Sequence, residues 1–117
     1  MQTAPVKAEI SIEDLARIDI RVGTIVSVTE IARSRDLVHA VVDLGAERRN
    51  VVIGMRRERA DVQEVVGRQA LFVVNLPPRK MSGIVSEAML FDIGYGDGIT
   101  PVLAVPEKPV PDGTRAG

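Results

Sequence analysis

The 117-residue chain is long enough for one domain with a modest core, and its 45% apolar and 26% charged residues are ordinary proportions for a globular protein. The absence of cysteine excludes disulfide staples and thiolate metal sites; no apolar run approaches the ~20 residues of a membrane span, and no secretory apolar region follows Met1. A net charge of −1 conceals a cationic middle, because residues 33–80 carry ten Lys and Arg against six Asp and Glu, a polarity that suits an anionic partner.

In chain order, the first ten residues read as loosely held. Ser11 with Asp14 three positions on is a capping-box variant that starts one short helix in "SIEDLARI". "IDIRVGTIVSVTEI" is rich in β-branched residues and long for a strand, and Gly23 inside it predicts a bend or bulge. "IARSRD" is a polar loop. "LVHAVVDL" is the second strand, closed by the turn "GAERR", and "NVVIGM" is the third. In "RRERADVQEVVGR" the period changes, and Ala60, Val62, Val65 and Val66 suit a short helix ended by Gly67. "QALFVVNL" is the fourth strand, stopped by Pro77-Pro78, and "SEAMLFDIG" is the fifth. "GYGDG" is a hairpin turn, followed by the extended piece "ITPVLAVP" and a proline-rich tail that reads as loosely held or as an extended edge. Three strands, a short helix and two further strands is the order of an all-β OB-fold, a five-stranded, partly open barrel. The whole chain is expected to form this single domain.

The residues offer little for catalysis. His39 is the only histidine, and its alternation with Val41 places it in a strand, where a local hydrogen bond is its expected role. No Ser-His-Asp order and no HExxH helix occurs, and the glycines of "GYGDG" open no helix that could hold a phosphate. The chain is therefore not expected to be an enzyme, nor to need a metal or other cofactor. Binding has more to draw on. Arg33 and Arg35 lie in the first loop, Arg56, Arg57 and Arg59 follow the third strand, and Arg79 and Lys80 follow the fourth. About six phosphate contacts would carry useful affinity with a steep salt dependence. Aromatic stacking is not expected, because Phe72 and Phe91 sit in apolar runs that should face the core. A folded shape is the expected ligand, read through phosphates, 2′-hydroxyls and a few base edges.

"DIRVGTIVSV", "DLGAERRNVVIG", "VGRQALFVVNLPPRKMSGIVSEAML" and "VPDGTR" resemble the tRNA-binding domain family. That family includes structure-specific tRNA-binding proteins, C-terminal domains of some methionyl-tRNA synthetases and the CsaA secretion chaperones. "NLPPRKMSGIVSE" with "KPVPDGTRAG" is most similar to the chaperones. The resemblance spans about residues 17–115 and implies an OB-fold, a homodimer, and binding of the outer corner of tRNA without strong sequence preference. It implies binding roles for Asn75, Arg79, Lys80, Met81 and Ser82 in the loop, and for Ser86, Glu87 and Met89 in the following S-E-x-M segment. The family's first loop often carries a proline and an "ADKL"-like segment; here it reads "IARSRDL", with Arg33 and Arg35 in its place. For Glu87, a structural carboxylate that satisfies loop N–H groups competes with ligand contact, and for Met81 and Met89 core filling does. The alternative function is a CsaA-type export chaperone that holds extended peptides or preproteins, because Met81, Ile84 and Met89 beside hydroxyls suit a peptide as well as a base. Docking on an aminoacyl-tRNA synthetase is a third reading, and a cytoplasmic location is expected throughout.

Overall fold

The computed structural model describes residues 3–117; Met1 and Gln2, part of the loosely held N-terminal stretch, lie outside the described residues. Residues 3–10 form no element and are all exposed. The Ser11 hydroxyl accepts the Asp14 N–H at 3.0 Å and starts helix α1, Ile12–Ala16, as its cap predicts. The helix buries none of its residues.

Strand β1, Ile20–Glu30, organises the sheet. It pairs antiparallel with β2 (Val38–Asp43) along Thr24–Glu30, and with β4 (Gln69–Val73) along Ile20–Thr24. With β3 (Arg48–Ile53) outside β2 and β7 (Met89–Leu90) outside β4, the order is β3-β2-β1-β4-β7. One strand serves two halves of the barrel, as an OB-fold requires. The bend needed for this lies at the register shift between Ile25 and Ser27 rather than at Gly23. Gly23 answers a different constraint. A Cβ there would stand 2.6 Å from Val42 Cγ1 and 2.9 Å from a Leu44 methyl, so the strands approach too closely for a side chain.

The inward faces of these strands make one core, with Phe72, Ile25, Met55, Val38, Val42, Val51 and Val65 fully buried. Each such side chain stabilises the fold by roughly 1.5–3 kcal/mol. The short helix expected before the fourth strand is a 3₁₀ turn, Val62–Val65, which buries Val62 and Val65 and closes one end of the barrel. Asp61 caps it, and the Gln63 side chain ties it to the Val28 carbonyl at 2.8 Å. Gly67, at φ 87°, ends it in the left-handed region.

Two expectations need correction. The fifth strand is not continuous through "SEAMLFDIG": only Met89–Leu90 joins the main sheet. The residues before it form a separate hairpin of β5 (Arg79–Met81) and β6 (Ile84–Ser86). Its two-residue loop, Ser82-Gly83, has φ values of 49° and 82°, both left-handed, as a primed turn demands. The tail is also firmly held. Gly113 N–H donates to the Val22 carbonyl at 2.7 Å, Val22 N–H to Thr114 at 2.9 Å and Ala116 N–H to Ile20 at 2.9 Å, which covers the part of the β1 edge that β2 leaves open. Asp112 accepts from Thr24 and Gln69, and the tail crosses the β2–β3 turn so closely that a Cβ on Gly113 would lie 2.4 Å from the Leu44 carbonyl oxygen.

Gly113→Ala therefore combines left-handed backbone strain with a backbone clash, and a loss of about 2 kcal/mol or more in urea denaturation is expected. Gly83→Ala has a similar φ but open space around it, and about 1 kcal/mol is expected.

Candidate functional site

The hydroxyl and carboxylate of "SGIVSEAML" are turned toward the protein itself. Ser86 is 7% exposed; its Oγ accepts the Val52 N–H at 3.0 Å and donates to the Ala88 carbonyl at 3.1 Å. A Glu87 carboxylate oxygen accepts the Asn50 N–H at 2.9 Å and the Asn50 side-chain amide at 3.3 Å, while the Glu87 N–H donates to the Asn50 carbonyl at 2.8 Å. Arg49 adds a third tie, donating through Nη1 to the carbonyls of Val74 at 2.7 Å and Glu87 at 3.0 Å. The segment thus binds the free edge of β3 and nearly closes the barrel. The Ser86 hydroxyl, expected to face a ligand, is buried and engaged on both sides. For Glu87 the structural reading is the one the geometry supports, although the residue remains half-buried.

Ser86 on Val52 and Glu87 on Asn50 set β6 antiparallel to β3, so the hairpin tip is directed to the end of β3 where Gly54–Arg57 begin. At that same end, Ala32, Arg33, Ser34, Arg35, Arg56 and Arg57 line an open notch of about 450 Å³. Arg56 holds the notch together: it pairs with Glu30 at 2.9 Å and donates to the carbonyls of Ile31 and Ser34. Arg57 pairs with Asp36, and Ser34 Oγ accepts the N–H groups of Asp36 and Leu37. Arg33 and Arg35 are exposed, with no ion pair among the described residues, and the same holds for Arg79 and Lys80 on the hairpin. Arg59 does not join this rim. It is largely buried, pairs with Glu64 at 2.9 Å, and its Nε is buried without a partner.

The remaining expected residues divide similarly. The Asn75 side chain accepts from the Asp19 N–H at 3.0 Å and donates to the Arg17 carbonyl at 2.6 Å, which fixes the link from α1 into β1. Ser82 is exposed at the hairpin tip, Met81 is half-buried, and Met89 is 47% exposed. Sequence reasoning missed Asn50 and placed Phe91 in the core. Asn50 gives no signal because the carboxylate it engages lies 37 residues away. Phe91 follows the buried Leu90, so strand alternation turns it outward; it is 44% exposed, and Ile93, Tyr95 and Val102 nearby are more so.

A nearly closed five-stranded antiparallel barrel in the order β3-β2-β1-β4-β7 defines a domain of the OB type. Comparison with known proteins makes this specific. The tRNA binding domain model matches residues 20–115, and the chain belongs to that family. It is 37% identical over 102 residues, 87% of its length, to a methionine–tRNA ligase of Porphyromonas gingivalis, and 36% identical over 111 residues to that of Bacteroides fragilis. It spans only 15% and 16% of those ligases. Among solved structures, a MetRS-related protein from Pyrococcus horikoshii superposes with a TM-score of 0.86 at 30% identity, covering 95% of this chain and all of that one. The chaperone CsaA of Bacillus anthracis gives 0.79 at 26% identity, covering 94% of this chain and all of that one.

Ser86→Ala leaves the buried Val52 N–H unpaired, and a loss of about 1–3 kcal/mol in denaturant unfolding is expected. A second outcome concerns pH. Burial raises the pKa of Glu58, the nearby Asp92 charge raises it further, and burial also raises that of Asp92. Because the folded state favours the protonated acids, this part of the stability is present at low pH and lost as pH rises through the elevated values. Glu58→Gln is therefore expected to raise the unfolding midpoint at pH 7, with the gain vanishing toward pH 4.

Proposed function

We propose that the chain binds tRNA as a folded shape, on the outer corner of the L and without strong sequence preference. The observation that carries this reading is four exposed cations with no ion pair among the described residues: Arg33 and Arg35 at the notch, and Arg79 and Lys80 on the hairpin whose tip is directed to the same end. Free guanidinium and ammonium groups attract a phosphate backbone and displace its condensed counterions, whereas the charge of cations held in internal pairs is already compensated. Ser82 and Met89 supply a hydroxyl and a soft apolar contact beside them. Family membership and the resemblance to methionine–tRNA ligases favour the same reading, and such a ligand implies a cytoplasmic location. The role is binding rather than catalysis. Docking beside an aminoacyl-tRNA synthetase is compatible with it.

The chain is further inferred to act as a homodimer. Ile12, Leu15 and Ile18 on the N-terminal segment are about half exposed or more, as are Phe91, Ile93 and Val102. Apolar surface of this kind marks an interaction site. The tail, which packs on its own β1, is not proposed to contribute. Sedimentation at micromolar concentration should give twice the chain mass, and Leu15→Glu should shift it to the monomer.

One observation favours a second reading. Val85 and Met89 expose apolar surface next to the rim, which suits an extended peptide, and the fold is shared with CsaA. The two readings separate by salt. tRNA affinity should fall steeply between 50 and 200 mM salt, as about six phosphate contacts would require, whereas peptide binding through apolar burial should not. Arg79→Ala with Lys80→Ala should weaken tRNA binding and flatten the log–log salt slope by about 1.5, measured by filter binding or fluorescence titration. An unchanged slope removes these residues from the interface.

A further inference from the structure

Glu87, by engaging Asn50, determines the chemistry of a third residue. A carboxylate only accepts, so the Asn50 amide nitrogen faces Glu87 and its carbonyl oxygen faces away. That oxygen lies 2.8 Å from His39 Nε2. An amide oxygen also only accepts, so Nε2 carries the proton and donates. In the neutral ring Nδ1 is then a bare acceptor, with no hydrogen-bond partner among the described residues. Arg59 Nε is the single buried side-chain polar atom without a partner among the described residues, which leaves His39 Nδ1 open to solvent.

The position of this acceptor matters. His39 is the second residue of β2, immediately beyond the loop that carries Arg33 and Arg35, and it faces Thr29 across the β1–β2 ladder. Cross-strand partners share a face, so the exposed Thr29 hydroxyl stands beside it. A carboxylate there would repel a phosphate track, whereas a neutral imidazole accepts a hydrogen bond without that repulsion. We propose that His39 Nδ1 accepts from a ribose 2′-hydroxyl and makes the site selective for RNA over DNA of the same sequence, with Glu87 and Asn50 as the residues that hold its tautomer. This deepens the tRNA reading and rests on it. Phosphates are common to both polymers, and the 2′-hydroxyl is what distinguishes them.

The test uses a tRNA transcript and its all-2′-deoxy counterpart. Long-range ¹H–¹⁵N NMR of the free protein should show the neutral Nε2–H tautomer, and Glu87→Gln, which frees the Asn50 amide to turn, should mix the two tautomers. His39→Gln keeps a donor toward Asn50 but moves the remaining acceptor off the Nδ1 position; His39→Phe removes both nitrogens and keeps a ring. Both variants should lose about two- to tenfold in affinity for tRNA, the worth of one net hydrogen bond, with no loss for the deoxy polymer. Thermal unfolding confirms that each is folded. A wild type that binds tRNA while both variants keep the RNA-to-DNA ratio overturns the assignment alone, as does an Nδ1–H tautomer. A wild type that binds neither polymer overturns the tRNA reading and the assignment with it.

Discussion

Between β3 and the chain leaving β6, side chains stand where a ladder of backbone hydrogen bonds would otherwise run. One backbone bond, Glu87 N–H to Asn50, is reinforced by Ser86 on Val52, Glu87 on Asn50 and Arg49 on two carbonyls. Each buried N–H so satisfied avoids a penalty of about 1–3 kcal/mol. The hairpin β5–β6 is held in place by this seam. Fold closure and the placement of the hairpin are thus a single set of contacts. A motif that looks like a ligand site in the sequence is, at Ser86 and Glu87, a fastening of the barrel.

The arginines divide along the same line. Arg49, Arg56 and Arg59 are partly or largely buried and hold backbone carbonyls or carboxylates. Arg33, Arg35 and Arg79, with Lys80, make no ion pair among the described residues. A near-neutral protein can in this way keep a local positive field. Glu30 and Asp36 are both paired with arginines that line the notch.

Much of the barrel was legible in the sequence because it depends on local pattern. The β-branched runs placed β1 to β4, Ser11 announced α1, and Gly67 marked the end of the 3₁₀ turn. What escaped depends on distant partners. Pro77-Pro78 suggested a loop, and only the left-handed Ser82-Gly83 pair shows that a hairpin follows. The tail's hold on β1 joins residues some ninety positions apart, and nothing in "VPDGTR" alone reports Val22. The candidate site was legible as a set of residue types, but the engagement of Ser86, Asn75 and Arg59 within the protein was not, since no single-chain pattern distinguishes a hydroxyl, amide or guanidinium that faces outward from one that bonds to its own chain.

The proline-rich tail also bears on how the molecule avoids polymerising. Without it, Ile20–Gly23 would present an unpaired strand margin, a template onto which another chain's strand could add and so begin a fibril. A strand approaching outside the tail meets Pro109 and Pro111, which have no N–H to offer, and a turn at Gly113 that breaks the extended line. The same few residues that finish the sheet therefore make it a poor seed for further growth.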